Sequence, residues 1–246
     1  MDDRDRIDKV QELLQQPPSV ERWQQLWESF VDWPEGSSKD TALQDALTRL
    51  EAWDDELRHM TSQAIPLYRQ NQVAPIGRLV RSVDFHRREE GTGDLVRIAG
   101  SPNSGELRRL TLFRCDIGAQ GITALAHSRY LNNLTHLKLI DTYLPRGTAP
   151  ELLRPSGLPR LSSLELIECG IGDADLVVLP RSSLPAQLTH LSLADNLIGD
   201  EGARILAQLS TLQHLKALDL SKNAISAAGR QMLQNAPHLA RTQLRF

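Results

Sequence analysis

Three sets of side chains in this sequence have the types that could do chemistry. His136 and His190 could hold a metal, Cys115 and Cys169 could hold a metal or cross-link, and Asp195, Asp200 and Glu201 could act as acids or bases. Spacing decides against each. The histidines are separated by twice a recurring 27-residue interval, and so are the cysteines. If each interval advances the chain by one strand of a sheet, roughly 4.8 Å, both pairs lie about 10 Å apart. That is beyond the Cα limit of roughly 7 Å for a disulfide and too far for one zinc ion, whose ligands sit about 2 Å from the metal. The carboxylates surround a turn that leads into a helix, a place that favours acidic residues for structural reasons. No G-x-G-x-x-G, G-x-x-x-x-G-K-S/T, H-E-x-x-H or C-x-x-C occurs. The expectation is a chain without catalytic residues, metal or cofactor, and with no small-molecule substrate.

The 27-residue interval is the organising feature. Residues 188 to 209, LTHLSLADNLIGDEGARILAQL, place Leu188, Leu191 and Leu193 in the spacing L-x-x-L-x-L, followed by Asn196, Ile198 and Gly199. The skeleton returns at Leu215, Leu218, Leu220, Asn223 and Ile225, and stands earlier at Leu161, Leu164, Leu166, Cys169, Ile171 and Gly172. It stands again at Leu107, Leu110, Leu112, Cys115, Ile117 and Gly118, and at Leu134, Leu137, Leu139, Thr142 and Leu144. Val80, Val83 and Phe85 begin a degenerate first unit, with Arg88 and Glu90 in the later slots. Repeats therefore start at 80, 107, 134, 161, 188 and 215, and a truncated strand is expected from Leu239.

A period in the twenties is the signature of a solenoid. The L-x-L centre is a short strand whose leucines face inward while alternate residues face out. The Asn, Cys or Thr that follows turns inward and must bond the backbone of the turn. Ile122, Leu125 and Ala126, and again Ala203, Leu206 and Ala207, mark the returning helix. Gly121, Gly202 and Gly229 recur just before these apolar positions and suggest close approach of helix and strand, while Pro145, Pro150, Pro155 and Pro180 should shorten the helices of two units. Both cysteines occupy the inward slot, so they should be reduced, buried thiols.

These residues resemble the ribonuclease-inhibitor-like subclass of leucine-rich repeat proteins, over about residues 80 to 246. The resemblance implies an α/β fold, a right-handed solenoid bent into a horseshoe with parallel strands on the concave face and helices on the convex face. It implies protein binding as the usual role, without naming the partner.

Residues 1 to 60 carry a different pattern. Ile7, Val10, Leu13 and Leu14 have helical spacing up to Pro17-Pro18; Trp23, Leu26, Trp27, Phe30 and Val31 share a second helical face; Leu43, Leu47, Leu50, Trp53 and Leu57 form a third stripe. Ser37 and Asp40 have the spacing of a capping box. All four tryptophans lie between 23 and 53. The reading is a helical head that covers the open end of the solenoid, or else a docking module, joined by an irregular junction at 61–79.

Composition narrows the class further. Hydrophobic content of 40% and charged content of 24% are those of an ordinary folded protein. Net charge is −3, divided into −8 over residues 1–60 and +5 over the rest. The head is too acidic to grip nucleic acid, and the basic excess behind it is too diluted to track phosphates. With no apolar run of 18 residues and a charged start, MDDRDRIDKV, neither a signal peptide nor a membrane span is expected. Cytoplasmic residence is the expectation.

The remaining informative residues are those the strands project outward. Their triplets are Ser82/Asp84/His86, Arg109/Thr111/Phe113, His136/Lys138/Ile140, Ser163/Glu165/Ile167, His190/Ser192/Ala194 and Ala217/Asp219/Ser221. Phe113, Ile140 and Ile167 stand side by side in adjacent units, and contiguous apolar side chains on an open sheet often mark an interface. The next column reads Arg87, Arg114, Asp141, Glu168, Asp195, Lys222. The partner site expected is an apolar centre of Phe113, Ile140 and Ile167 rimmed by Arg114, Lys138, Asp141, Glu165 and Glu168. Cover by the junction, or by the loop after Leu144, is the competing reading. The function expected is a non-catalytic protein-interaction module or scaffold; the alternative is a regulator of an enzyme such as a small GTPase, bound through the repeat rim or the head.

Overall fold

The computed structural model describes residues 2–60, 75–86 and 92–246. Residues 61–74 of the junction, and Arg87, Arg88 and Glu90 of the first unit, lie outside the described residues.

The head is three helices, α1 (Asp3–Gln15), α2 (Val20–Val31) and α3 (Ser37–Leu50). Their apolar stripes close on one another, burying Val10, Leu14, Trp23, Leu26, Phe30, Leu43 and Leu50. Ser19 caps α2 by accepting the Arg22 amide at 3.2 Å. The capping box expected at Ser37 and Asp40 is not there. Gly36 is the cap residue of α3, and its carbonyl takes the Asp40 amide at 3.1 Å. The box forms instead at α1, between Asp2 and Asp5. Helix α3 ends at Leu50, so Trp53 and Leu57 complete its stripe from the turns beyond it.

The head is not wholly helical. His59–Met60 form a strand, β1, paired in parallel with β2 (Ser82–His86). Trp23 of α2 donates its indole N–H to the His59 carbonyl at 2.7 Å. Behind this joint lies Arg58, fully buried, whose guanidinium donates to the carbonyls of Leu79 (2.9 Å), Leu50 (3.2 Å) and Arg78 (3.4 Å). Burial, with Arg81 nearby, lowers its pKa to about 9, which leaves it cationic at neutral pH. At the surface, Arg108 pairs with Asp55 at 3.3 Å and Arg109 with Glu56 at 2.8 Å. The buried apolar side chains form one cluster that runs from α1 to Leu239.

Strands β3 (Arg109–Phe113), β4 (His136–Ile140), β5 (Ser163–Ile167), β6 (His190–Ser192), β7 (Ala217–Asp219) and β8 (Gln243–Arg245) follow β2 in one parallel sheet, in sequence order. The register has the expected period: Ser82 faces Arg109, then His136, Ser163, His190 and Ala217. Leucines 110, 112, 137, 139, 164 and 166 are buried, and the alternate residues of β3 and β4 are half-buried. Ser82 and Ser163 are buried although they project to the open face, because short side chains are overtopped by the strands beside them. The last unit is one residue short, with Leu218 opposite Leu244. The closing strand begins at Gln243 and not at Leu239, which ends a 3₁₀ turn (Pro237–Leu239) and packs into the core.

The chain returns between strands through helices α4 (Thr92–Gly100), α5 (Gly118–Ala126), α6 (Ala149–Leu153), α7 (Asp173–Leu176), α8 (Leu184–Gln187), α9 (Asp200–Gln208) and α10 (Ala227–Gln234). The proline-rich units have the short ones, α6, α7 and α8. Gly202 and Gly229 do mark close approach, but to the neighbouring unit's carboxylate and not to a strand. A Cβ on Gly202 would strike Asp173, and one on Gly229 would strike Asp200. Asp173 Oδ1 accepts the amides of Gly199 (2.8 Å) and Gly202 (3.0 Å) at the start of α9. Asp200 does the same for Ser226, whose amide and hydroxyl donate at 2.8 and 2.7 Å. Each carboxylate thus lies at the start of a helix in its own unit and of one in the next, α7 and α9 for Asp173 and α9 and α10 for Asp200.

The inward slot is satisfied as its chemistry requires. Cys115, Thr142 and Cys169 donate to carbonyls of their own turn and of the previous unit. Asn196 does more: Nδ2 donates to Leu166 (2.7 Å) and Ala194 (3.0 Å), while Oδ1 accepts from the amides of Cys169 and Ile171, both at 3.0 Å. Asn223 repeats this one unit on, to Leu193, Leu220 and the Ile198 amide.

Two outcomes follow from the slot. Asn196→Ala leaves the Cys169 and Ile171 amides without their acceptor and takes one donor from two carbonyls, and should destabilise the protein by about 3 kcal/mol or more, against about 1 kcal/mol for Thr142→Val, which only takes one donor from two carbonyls. Equal midpoint shifts in urea denaturation would refute the distinction. The Cys169 thiol is pushed up to about 12 by burial. It should resist bulky alkylating reagents in the native state. Because the folded chain keeps a proton that the unfolded chain loses above the ordinary thiol range, stability should fall with rising pH there, by at most about 1.4 kcal/mol per pH unit. Cys169→Ala should remove that component of the slope.

Candidate protein-binding face

The outward triplets lie where the register places them. Phe113, Ile140 and Ile167 are consecutive Cα partners across β3, β4 and β5, and all three are half-buried. Phe113 is flanked by the His86 ring, with centroids 5.9 Å apart, and by the Arg114 guanidinium, 4.9 Å from its ring centre. A continuous apolar stripe three strands wide results.

The charges around it differ from a free rim. Arg114 pairs with Asp141 at 2.6 Å, and Lys138 with Glu165 at 2.9 Å. Farther along the same column Lys222 pairs with Asp195 at 2.7 Å. These exposed pairs join adjacent units, and each contributes roughly 0–1 kcal/mol. Of the eight residues expected to form the site, Glu168 is the charged one with no ion pair among the described residues.

One conformational feature of this column carried no sequence signal. Arg114, Asp141, Glu168, Asp195 and Lys222 all have positive φ, between 48° and 57°. The left-handed region is uncommon for side chains other than Gly, Asn and Asp. It recurs because the chain must leave each strand sharply enough to bury the next residue but one. The amides of Arg114, Asp141, Glu168 and Asp195 hold the geometry by bonding the carbonyls of Ile140, Ile167, Ala194 and Ser221 in the following unit.

A second feature of the face was not anticipated. Past the apolar stripe, a hollow of ≈ 310 Å³ is lined by His136, Glu165, His190, Ser192, Asp219 and Arg245. Its floor is made by Ser163, Ser192 and Ala217, so the signal available was a run of small residues between tall ones. Burial first, then Arg109 and His190, hold the His136 pKa below the ordinary histidine value. The hollow therefore contains a neutral imidazole at pH 7.

The groups considered for chemistry have structural work. Asp195 bonds Lys222, Asp200 bonds Ser226 and Glu201 pairs with Arg204. Among the described residues no group of three or more His, Cys, Asp or Glu could hold a metal ion, and no helix is long and apolar enough to cross a membrane.

Comparison with known proteins agrees with the repeat. A family model described as Leucine Rich repeat matches residues 107–126, 187–207 and 211–233. No curated protein matches the chain. Solved structures similar to it include a Bacteroides fragilis protein at 14% identity and TM-score 0.39, covering 86% of this chain and 84% of that one. An internalin from Listeria monocytogenes is 20% identical, with TM-score 0.42, over 71% of this chain and 50% of its own. A TLR13 chain, solved as a complex with ssRNA13, is 22% identical with TM-score 0.46, over 71% and 23%. The chain thus spans half of the matched internalin and under a quarter of the matched TLR13 chain. What the sheet, the helices and the matched segments define is an α/β leucine-rich repeat solenoid. Proteins of this kind are generally interaction modules, and the fold is typically non-catalytic.

The state of His136 is open to direct test. Its ring protons, followed by NMR against pH, should titrate below the ordinary histidine range, and Arg109→Gln should move the midpoint upward. An ordinary midpoint that ignores the substitution would mean that neither burial nor Arg109 acts on the His136 ring.

Proposed function

We propose that the protein is a non-catalytic interaction module whose concave face binds another protein through Phe113, Ile140 and Ile167. The observation that carries this reading is the continuous half-exposed stripe these three form across β3–β5. An open polar sheet gains nothing by presenting large apolar groups to water, and burying them against a partner stabilises the complex by roughly 25 cal/mol per Å². Arg114, Lys138, Asp141, Glu165 and Glu168 form the rim, which supplies orientation and water exclusion more than affinity. The paired charges suit this role, since they are pre-organised and need no reordering on binding. The 27-residue period, the strand-to-helix return and the Cys/Asn slot support assignment to the ribonuclease-inhibitor-like subclass. Absence of a membrane-crossing helix among the described residues is in keeping with cytoplasmic residence.

The test uses the full chain. Ile140→Asp with Ile167→Asp places charge in the stripe and spares the buried leucines. This double variant should fold, losing well under the roughly 2–5 kcal/mol of a core truncation, while the proteins co-purified with the wild type should disappear from its eluate. Leu139→Ala or Leu166→Ala, one position away on the same strands, should instead unfold the arc. Partners retained by a folded double variant would remove the stripe as the site. A nucleotide-binding protein among those lost would give the interaction the character of enzyme regulation.

A further inference from the structure

We infer that the edge of the sheet beside the stripe is a seat for a lysine or arginine side chain of the partner, centred on Glu168. This deepens the reading of the concave face as a protein-binding surface and rests on it. Two residues beyond the left-handed column, the chain surfaces again in a column of Asp116, Tyr143, Gly170, Leu197 and Ala224. Tyr143 and Leu197 are the most exposed large apolar residues among those described, at 74% and 71%. Gly170 stands between them with φ +74°, and no atom lies within 4 Å of where its Cβ would be. With units spaced roughly 4.8 Å apart, the backbone at Tyr143 and at Leu197 is separated by about 10 Å, with the bare glycine between. The backbone at Leu197 is fixed: its amide bonds the Ile171 carbonyl of the preceding unit at 2.8 Å.

Charge decides what fits. Among the described residues, the two columns hold the carboxylates Asp116, Asp141, Glu168 and Asp195 and the cations Arg114 and Lys222. Both cations are engaged, Arg114 by Asp141 and Lys222 by Asp195. Glu168 is exposed, forms no ion pair among the described residues although the Lys222 ammonium beside Asp195 lies within electrostatic reach of it, and is next but one in sequence to the open glycine. An exposed carboxylate beside an open glycine, with an exposed phenol ring one unit to one side and an exposed isobutyl group one unit to the other, complements a long side chain that is apolar along its stem and cationic at its tip. Tyr143 can add a cation–π contact, and Glu168 a charge-assisted hydrogen bond. An acidic or purely apolar side chain would leave Glu168 repelled or desolvated without a partner.

The probes are N-acetyl-arginine amide and N-acetyl-lysine methylamide, titrated into the isotopically labelled full chain and followed by amide chemical shifts. Shifts should centre on Tyr143, Glu168, Gly170 and Leu197, be absent with N-acetyl-glutamate amide, and weaken about threefold to fivefold in Glu168→Gln, as an exposed charged contact allows. Shifts that fall elsewhere, that persist in Glu168→Gln, or that appear equally with the glutamate probe overturn the seat. The Ile140→Asp, Ile167→Asp variant separates the two readings. It should keep its response to the probes if the seat is real, whatever becomes of partner capture. Partner capture that depends on Ile140 and Ile167 but is indifferent to Glu168→Gln would remove the seat and leave the stripe standing.

Discussion

Five successive units of this protein depend on one polar side chain turned the wrong way. Directly after each strand the chain must bring Cys115, Thr142, Cys169, Asn196 or Asn223 into the core, where an unbonded polar atom would be destabilising by roughly 1–3 kcal/mol. Each reaches a carbonyl of the previous unit as well as one of its own. The slot therefore fixes the distance and phase between neighbours. The sheet register, the burial of the leucines and the sharp left-handed exit all conform to it. No unit could keep that geometry by itself, which is why stacking and folding are one event here.

How much of this was legible depended on how often a signal recurred. Strand faces, the inward slot and the shortening of helices by proline could be read from L-x-x-L-x-L and its 27-residue period, because each unit repeats the evidence of the others. Features that occur once were harder. A two-residue strand such as His59–Met60 has no periodicity of its own. The closing strand was misplaced because leucine spacing was followed from Leu239, only 24 residues after Leu215, whereas the last strand pairs 26 residues on, Leu218 with Leu244. Ser37 and Asp40 had capping spacing, yet Gly36 took the position.

The candidate site divides in the same way. Phe113, Ile140 and Ile167 followed from alternation along strands. The pairing of Arg114 with Asp141 and of Lys138 with Glu165 did not, since like and unlike charges in a column do not say which will reach which. Nor did Tyr143 and Leu197, which sit in turns outside the strand pattern. The left-handed column escaped notice because charged residues, unlike glycine, carry no mark of that conformation. Arg58 was equally silent: nothing in the sequence separates an arginine that bonds three carbonyls in the joint from one on the surface.

The slot residues also divide the arc mechanically. Under the apolar stripe the units are held through Cys115, Thr142 and Cys169, the two thiols reaching their carbonyls across 3.3–3.7 Å. Beyond it Asn196 and Asn223 donate and accept at once, across 2.7–3.0 Å for their closest bonds. A long bond from a weak thiol donor resists shear between neighbours less than a short amide bond does. The solenoid is consequently a spring of uneven stiffness, softest beneath Phe113 and Ile140 and hardest toward β7. Such a spring can alter its curvature locally to follow the contour of whatever lies against the soft half, while the stiff half keeps its shape.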